Sequence, residues 1–349
     1  MRTKIILTLV VFTFLSSCSN GPYDDVNETS LSGNTDNNFL FDNEKTQLLD
    51  SPESIRIFGE VKEEKNISLQ DFQLRSVIVK EVLPEEGQRE FKGVFRYDGY
   101  SLEDLLKNIE LEKKSGFNPI TDLYVKVHGS DGKYAIISWA EIFYPVHHHM
   151  QIIATRVARH VPFKTPDVLY PYPAKSKLVV SNDLLTCRNI TYPVSIEVCS
   201  FQGNFPEEEM EELYWPTLSI EGFGNEKVLL EELPDNLLNR ESDMIFYGRG
   251  RGIHDVNPFK GNYLSELLEL YVQSDAELLR TGIIIASAPD GYRSVFSLSE
   301  IMNRNDRLET LIMDDKNNER EGRFSLIISG DFFSDRAVKA LNRLMLSKE

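Results

Sequence analysis

The stretch "YGRGRGIHD", residues 247–255, sets two arginines among three glycines. Glycines let backbone amides approach an anion closely and arginines add charge, so Arg249 and Arg251 have the makings of a phosphate nest. The same composition also suits a solvated loop between a strand and a helix. A second candidate is "YPVHHHMQIIATRVARHVPF", residues 144–163, with four of the six histidines. Imidazoles ligate zinc, copper or haem iron, and His147 with His160 would share an ion if the segment folds back. Three adjacent histidines cannot face one ion from a strand, because alternate side chains point apart. A polar turn before a packed apolar segment is therefore the competing reading. Glu141 and Glu300 could be paired carboxylates, but each follows a serine by three residues, Ser138 and Ser297, as in a capping box that starts a helix. The sequence has no nucleophile elbow, P-loop, paired zinc cysteines or EF-hand loop.

The elements that must position these residues occur twice. "GSDGKYAIISWAEI" at 129–142 and "SAPDGYRSVFSLSEI" at 287–301 both run from an Asp-Gly turn through a strand to Ser-x-x-Glu, at a constant offset of 159. Upstream, "FKG" at 91–93 and at 259–261 precedes the helix-like stretches "SLEDLLKNI" and "YLSELLEL", with acids at their starts. Downstream, "KLVVSNDLLTCRNITYPVSIEV" (177–198) parallels "SLIISGDFFSDRAVKALNRLML" (325–346), and Asp183–Arg188 has the same spacing as Asp331–Arg336. "SIRIFGEV" and "LSIEGFG" open the two copies as short strands ending at a glycine turn. Four motifs in one order indicate a duplication. Short strands interrupted by one or two helices, without βαβ alternation, predict an α+β fold in each copy. The copies are expected at 49–203 and 210–349, divided near "CSFQGNFPEEEMEELYWP". The strand after each Asp-Gly turn is expected to be half-buried.

The run "APDGYRSVFSLSEI" followed by "GRFSLIISGDFFSDRAVKALNRL" resembles the closing half of the oxidoreductase molybdopterin-binding domain, the fold of the sulfite oxidase family. The match covers most of 210–349 and, more loosely, 50–200. The resemblance implies two tandem sulfite-oxidase-type molybdopterin-binding-like domains. It also implies that Arg336 and Lys339 stand at the Arg-x-x-Lys places that hold the pterin and its phosphate in cofactor-bearing members, a task suited to bidentate arginine. Arg188 matches Arg336 in the first copy, while Thr191 stands where the second copy has Lys339. Cofactor-bearing members also place a cysteine thiolate on molybdenum, a soft ligand for that metal. The corresponding stretches here, "SVIVKEVLPEEGQREFKG" and "DMIFYGRGRGIHDVNPFKG", contain no cysteine.

The N-terminus carries an address. "MRTK" is basic, "IILTLVVFTFL" is an apolar run too short to span a bilayer, and "LSSC" resembles a bacterial lipobox. Residues 1–18 are expected to be a lipoprotein signal with Cys18 as the lipidated residue, and 19–48 a polar tether. The chain is then held at the cell envelope, on the outer membrane facing the periplasm or the cell surface, with the membrane as one partner and an envelope protein as a candidate second. With 55 acidic against 38 basic residues, net −17, the chain repels phosphate backbones, which excludes nucleic acid as a partner. Cys187 and Cys199 flank the expected strand "YPVSIEV", and its extended length favours two free thiols over a disulfide.

Two functions fit these observations. One is a redox-associated protein that binds a molybdopterin-like or other anionic cofactor, chiefly in the second copy through Arg249, Arg251, Arg336 and Lys339. The other is a non-catalytic envelope binding or scaffold protein that keeps the fold without the metal centre.

Overall fold

The computed structural model describes residues 46–85, 88–160, 170–205, 207, 213–222, 225–250, 252–256, 258–316 and 322–349. Cys18, the signal segment, most of the tether and Arg251 lie outside the described residues. In the first half the strands are β1 (Gln47–Leu48), β2 (Ser54–Gly59), β3 (Lys65–Ser68), β4 (Arg75–Glu85) and β5 (Gln88–Ser101). Helix α1 (Leu102–Leu106) follows, then β6 (Leu123–Gly129), β7 (Tyr134–Ser138) and α2 (Trp139–Phe143). The half ends with β8 (Gln151–Arg159), β9 (Lys177–Val180) and β10 (Pro193–Ser200).

The second half opens with β11 (Leu218–Gly222), β12 (Asn225–Leu230), β13 (Arg240–Asp243), β14 (Phe246–Gly248) and β15 (Gly252–Asp255). Next come β16 (Pro258–Tyr263), α3 (Leu264–Glu269), α4 (Ala276–Thr281), β17 (Gly282–Ser287) and β18 (Arg293–Ser297). Helix α5 (Leu298–Met302), β19 (Thr310–Asp314), β20 (Phe324–Ile328) and β21 (Arg343–Lys348) complete it. No helix among the described residues is long and apolar enough to cross a membrane.

Strand order repeats between the halves. The sheet β3-β2-β10-β6-β7 is matched by β12-β11-β21-β17-β18, and in each the sheet's first strand in sequence runs parallel to its last. The sheet β4-β5-β8-β9 is likewise matched by β13-β16-β19-β20, with β1 added on β8 and the hairpin β14-β15 set apart. Gly59 and Gly222 end β2 and β11 with φ of 98° and 119°, where a Cβ would collide with the carbonyl oxygens of Val198 and Leu346. Glycine is the residue that reaches this conformation without that clash.

The expected α+β class is overturned. Strands make up 48% of the structure and helices 13%, and the sheets stand in a four-blade, propeller-like arrangement rather than as two sulfite-oxidase-type domains. The α-helices are five or six residues long, short caps on strands that do not form a layer of their own. The leucine faces of "SLEDLLKNI" and "YLSELLEL" do bury, but over barely more than one turn before the chain extends again.

The half-buried expectation for the strands after the Asp-Gly turns also fails, for a physical reason. On β6, β7, β17 and β18 one set of side chains fills the core of its own half: Val125, Val127 and Ile137 in the first, Ile284, Ala286 and Phe296 in the second. The opposite faces form a further core between the halves, from Tyr124, Ile136, Ile283, Ile285 and Val295. Strands covered on both sides read as continuous apolar runs, as "YAII" and "GIIIA" do, because neither face meets water.

Candidate functional site

The join between the halves is built by the caps and arginines that recur in the sequence. Ser138 caps α2 by accepting from the Glu141 amide at 3.0 Å, and Ser297 caps α5 by accepting from the Glu300 amide at 3.1 Å. In the second half the capping box is reciprocal, since the Glu300 carboxylate accepts from the Ser297 amide at 2.8 Å. In the first half the Glu141 carboxylate turns instead to Arg188, with contacts of 2.6 and 2.8 Å. Arg188 also holds Asp183 through two bonds of 2.6 and 2.8 Å.

Arg336 repeats this arrangement with Asp331, at 2.7 Å through both Nε and Nη2, and with Glu300 at 2.7 Å. Each arginine then reaches into the other half. Arg188 donates to Ser297 Oγ at 3.0 Å, and Arg336 to Ser138 Oγ at 3.4 Å. The backbone makes the same exchange around them: Val146 N donates to Gly330 O and Asn305 N to Asn182 O, both at 3.0 Å, while Leu184 N to Asn303 O and Phe332 N to Tyr144 O are both 2.7 Å. These bonds interchange under the sequence offsets of 159 and 148, so the join has a pseudo-two-fold axis.

Four carboxylates face two guanidiniums in this buried cluster, so their titration is unequal. Burial raises the Asp183 carboxyl to about 6 despite its pairing with Arg188. Burial also raises Asp331 and Glu300, against the opposing pull of Arg336, and the nearby Glu141 charge raises Glu300 further. Burial pushes Glu141 the same way, but the two-pronged Arg188 contact and the Ser297 hydroxyl, 2.9 Å away, outweigh it and leave Glu141 lowered. Both guanidiniums are held charged well above their ordinary range by the acids around them.

Two cavities lie at equivalent places in the halves, each between the Asp-Gly turn and the segment that carries the arginine. The second-half cavity, about 700 Å³, is lined by Phe246, Phe259, Tyr292, Met313, Ile327 and Lys339 among others. The first-half cavity, about 600 Å³, is lined by Glu81, Lys133, Lys175, Lys177, Thr191 and Arg280 among others. Thr191 and Lys339 are the equivalent positions that distinguish the two copies in the sequence.

The residues expected to hold a cofactor are thus dispersed. Arg188 and Arg336 are 0% and 1% exposed, and their donors are spent on carboxylates and hydroxyls, which leaves no fork for a phosphate. That corrects the Arg-x-x-Lys expectation: Asp183 and Asp331, five residues before each arginine, take the place of the anion. Arg249 stacks on Tyr144 and Phe333 at 4.9 and 4.6 Å and pairs with Asp335 at 3.0 Å, so it ties the loop to both halves. Lys339 lines the second-half cavity. The residues present do not fit a molybdenum–pterin group: the fork arginines are occupied, Cys187 lines the first-half cavity and Cys199 lies in β10. Both cysteines are free thiols, pushed up by burial to about 11 and about 12.

His147 and His160 do not converge. They stand off opposite ends of β8, whose nine residues alone span about 30 Å. The neighbours make the contacts instead: His149 Nδ1 lies 3.0 Å from Ser101 Oγ, and His148 Nδ1 lies 3.1 Å from Glu103. Among the described residues no group of three or more His, Cys, Asp or Glu side chains is placed to hold a metal ion. Sequence reasoning took Glu141 and Glu300 as caps and missed their arginine partners. The available signal was the repeated Asp-x4-Arg spacing in a chain that also repeats Ser-x-x-Glu.

No protein-family model matches the chain, and no curated protein matches it. Among solved structures it is similar to the sulfane dehydrogenase SoxCD from Paracoccus pantotrophus, at 11% identity over 85% of this chain and 75% of that one, with a TM-score of 0.31. A likeness at that level carries no argument about fold or chemistry.

Proposed function

We propose that this chain is a non-catalytic binding protein of the cell envelope, tethered through Cys18, whose second-half cavity takes an organic anion with an apolar body. The observation that carries this reading is the commitment of Arg188 and Arg336 to opposite sides of the join. Those arginines serve as structural keystones, so a ligand of the second half is sought in the cavity beside them. Its walls are mainly aromatic and aliphatic, with Lys339, Ser325, Ser334 and Asp290 among them, the last accepting from the Tyr292 amide at 3.0 Å, a composition that favours an apolar ligand with one polar end. Phe246 and Phe259, with ring centroids 6.1 Å apart, offer a surface for a flat ligand.

Calorimetric titration of the whole chain with naphthalene-2-sulfonate tests the site. One equivalent is expected to bind, weakened about tenfold by Lys339→Ala, the loss of roughly one charge-assisted bond. Absence of saturable binding, or binding indifferent to Lys339→Ala, overturns the site. Elemental analysis of protein from its native host tests the non-catalytic part. Molybdenum or tungsten near one atom per chain would defeat it.

A further inference from the structure

The first-half cavity has a different chemistry from its counterpart. Four cations line it, Lys133, Lys175, Lys177 and Arg280, against the two carboxylates Glu81 and Asp131. Glu81 is already answered by Tyr97 Oη at 2.9 Å, Lys177 Nζ at 2.6 Å and Asn189 Nδ2 at 3.2 Å. Asp131 Oδ1 accepts from the Lys133 amide at 3.1 Å, inside its own turn. Among the described residues, Lys133, Lys175 and Arg280 have no carboxylate partner. Lys175 has its ammonium 5.6 Å from the Tyr192 ring centroid.

Arg280 is the decisive group. It comes from the second half, in the last turn of α4, which packs on β7 of the first half. Its Nε is buried without a hydrogen-bond partner. A buried donor left unmet costs about 1–3 kcal/mol, so it marks a position where an acceptor belongs. The lining retains two excess positive charges within a chain of net −17. A cleft of one sign concentrates counter-ions of the other, whatever the overall charge.

We propose that this cavity is a second binding site, independent of the apolar one, for a tetrahedral oxyanion of charge −2, free sulfate or phosphate or a phosphate monoester, with Arg280 closing it from the other half. Arg280 supplies a fork for two oxyanion oxygens, while Lys133 and Lys175 supply point charges at the mouth. Because the ligand bridges the halves, its binding also stabilises the join.

The test is calorimetric titration of the whole chain with inorganic phosphate and inorganic sulfate at mildly alkaline pH, with acetate as the monoanion comparison. One site per chain is expected, weaker at higher salt, with acetate binding at least about tenfold less tightly than sulfate. Arg280→Ala and Lys175→Ala should each weaken sulfate binding about tenfold, whereas Lys316→Ala, at a surface pair with Glu232, should leave it unchanged. Lys133→Ala, on an exposed turn, keeps the test alive if Arg280→Ala fails to fold. No saturable sulfate binding, equal binding by the variants, or acetate binding as tightly as sulfate would each overturn the proposal. Naphthalene-2-sulfonate binding in Arg280→Ala reports on the other cavity, so the two sites fail separately.

Discussion

Arg188 Nη1 lies 3.0 Å from Ser297 Oγ, across the join between two halves that are 109 residues apart at this point in sequence. The same hydroxyl caps α5 and donates to Glu141 at 2.9 Å. One serine side chain therefore starts a helix in its own half and completes the arginine cluster of the other. Ser138 does the equivalent work more weakly, with Arg336 at 3.4 Å.

Ser297→Ala is accordingly expected to cost more than Ser138→Ala. Loss of a cap alone is about 1 kcal/mol, and Ser297 also leaves a buried Glu141 oxygen short of a donor, for about 2–3 kcal/mol in all. Chemical denaturation of both variants checks the order. Equal losses would show that the inter-half bonds add nothing to the caps.

Arg188→Met and Arg336→Met should each lower stability by about 3–5 kcal/mol, because each strands two carboxylates in a buried site. The double variant is expected to lose less than the sum, since each single change already loosens the shared join. A double-mutant cycle read by thermal unfolding decides it, with strict additivity as the contrary result.

Acid titration should show the Asp183 carboxyl. Its folded value of about 6 stands above its ordinary 3.8, so between these pH values the folded chain holds a proton that the unfolded chain has released. The contribution of this group to stability is full below 3.8 and is lost as pH rises through about 6. Asp183→Asn removes that component, so between about pH 4 and 6 the stability of the variant should fall less steeply with rising pH than that of the parent. Identical slopes before and after the change would be inconsistent with a raised Asp183.

The layer between the halves should be as sensitive as a core. Ile136 and Ile285 are 1% and 0% exposed, so Ile136→Ala and Ile285→Ala are each expected to cost about 2–5 kcal/mol. Exposed Ile253→Ala, on β15, should cost under about 0.5 kcal/mol. Thermal unfolding of the three variants separates a packed interface from a loose contact between lobes.

Much of the site was legible as positions but not as partners. Ser138, Glu141, Asp183 and Arg188 announce themselves by recurring at Ser297, Glu300, Asp331 and Arg336, and the caps follow from local spacing. That Arg188 would meet Glu141 rather than a phosphate depends on β7 and β10 lying in one sheet with β6 between them, which is tertiary information. The fold class was misread because "SLEDLLKNI" and "YLSELLEL" have helical periodicity over longer spans than the strands around them allow. The half-buried reading of "SVFSL" failed because alternation was sought where a second sheet covers the outer face. Lys133, Lys175 and Arg280 gave no signal, since they come together from separate turns and from different halves.

The exchange of Arg188 and Arg336 across the join has one further consequence. A contact in which residue i of one unit meets residue j of the other, while j meets i, is isologous, the form that two identical subunits make about a dyad. A chain of one half alone would present an arginine cluster lacking its serine, together with the bare apolar face of β6 and β7 or of β17 and β18. A surface of the same kind on a second copy would supply both, so the join has the geometry of a homodimer interface carried within one chain. Carrying both subunits on one polypeptide removes the symmetry requirement, and the two cavities can then hold threonine on one side and lysine on the other.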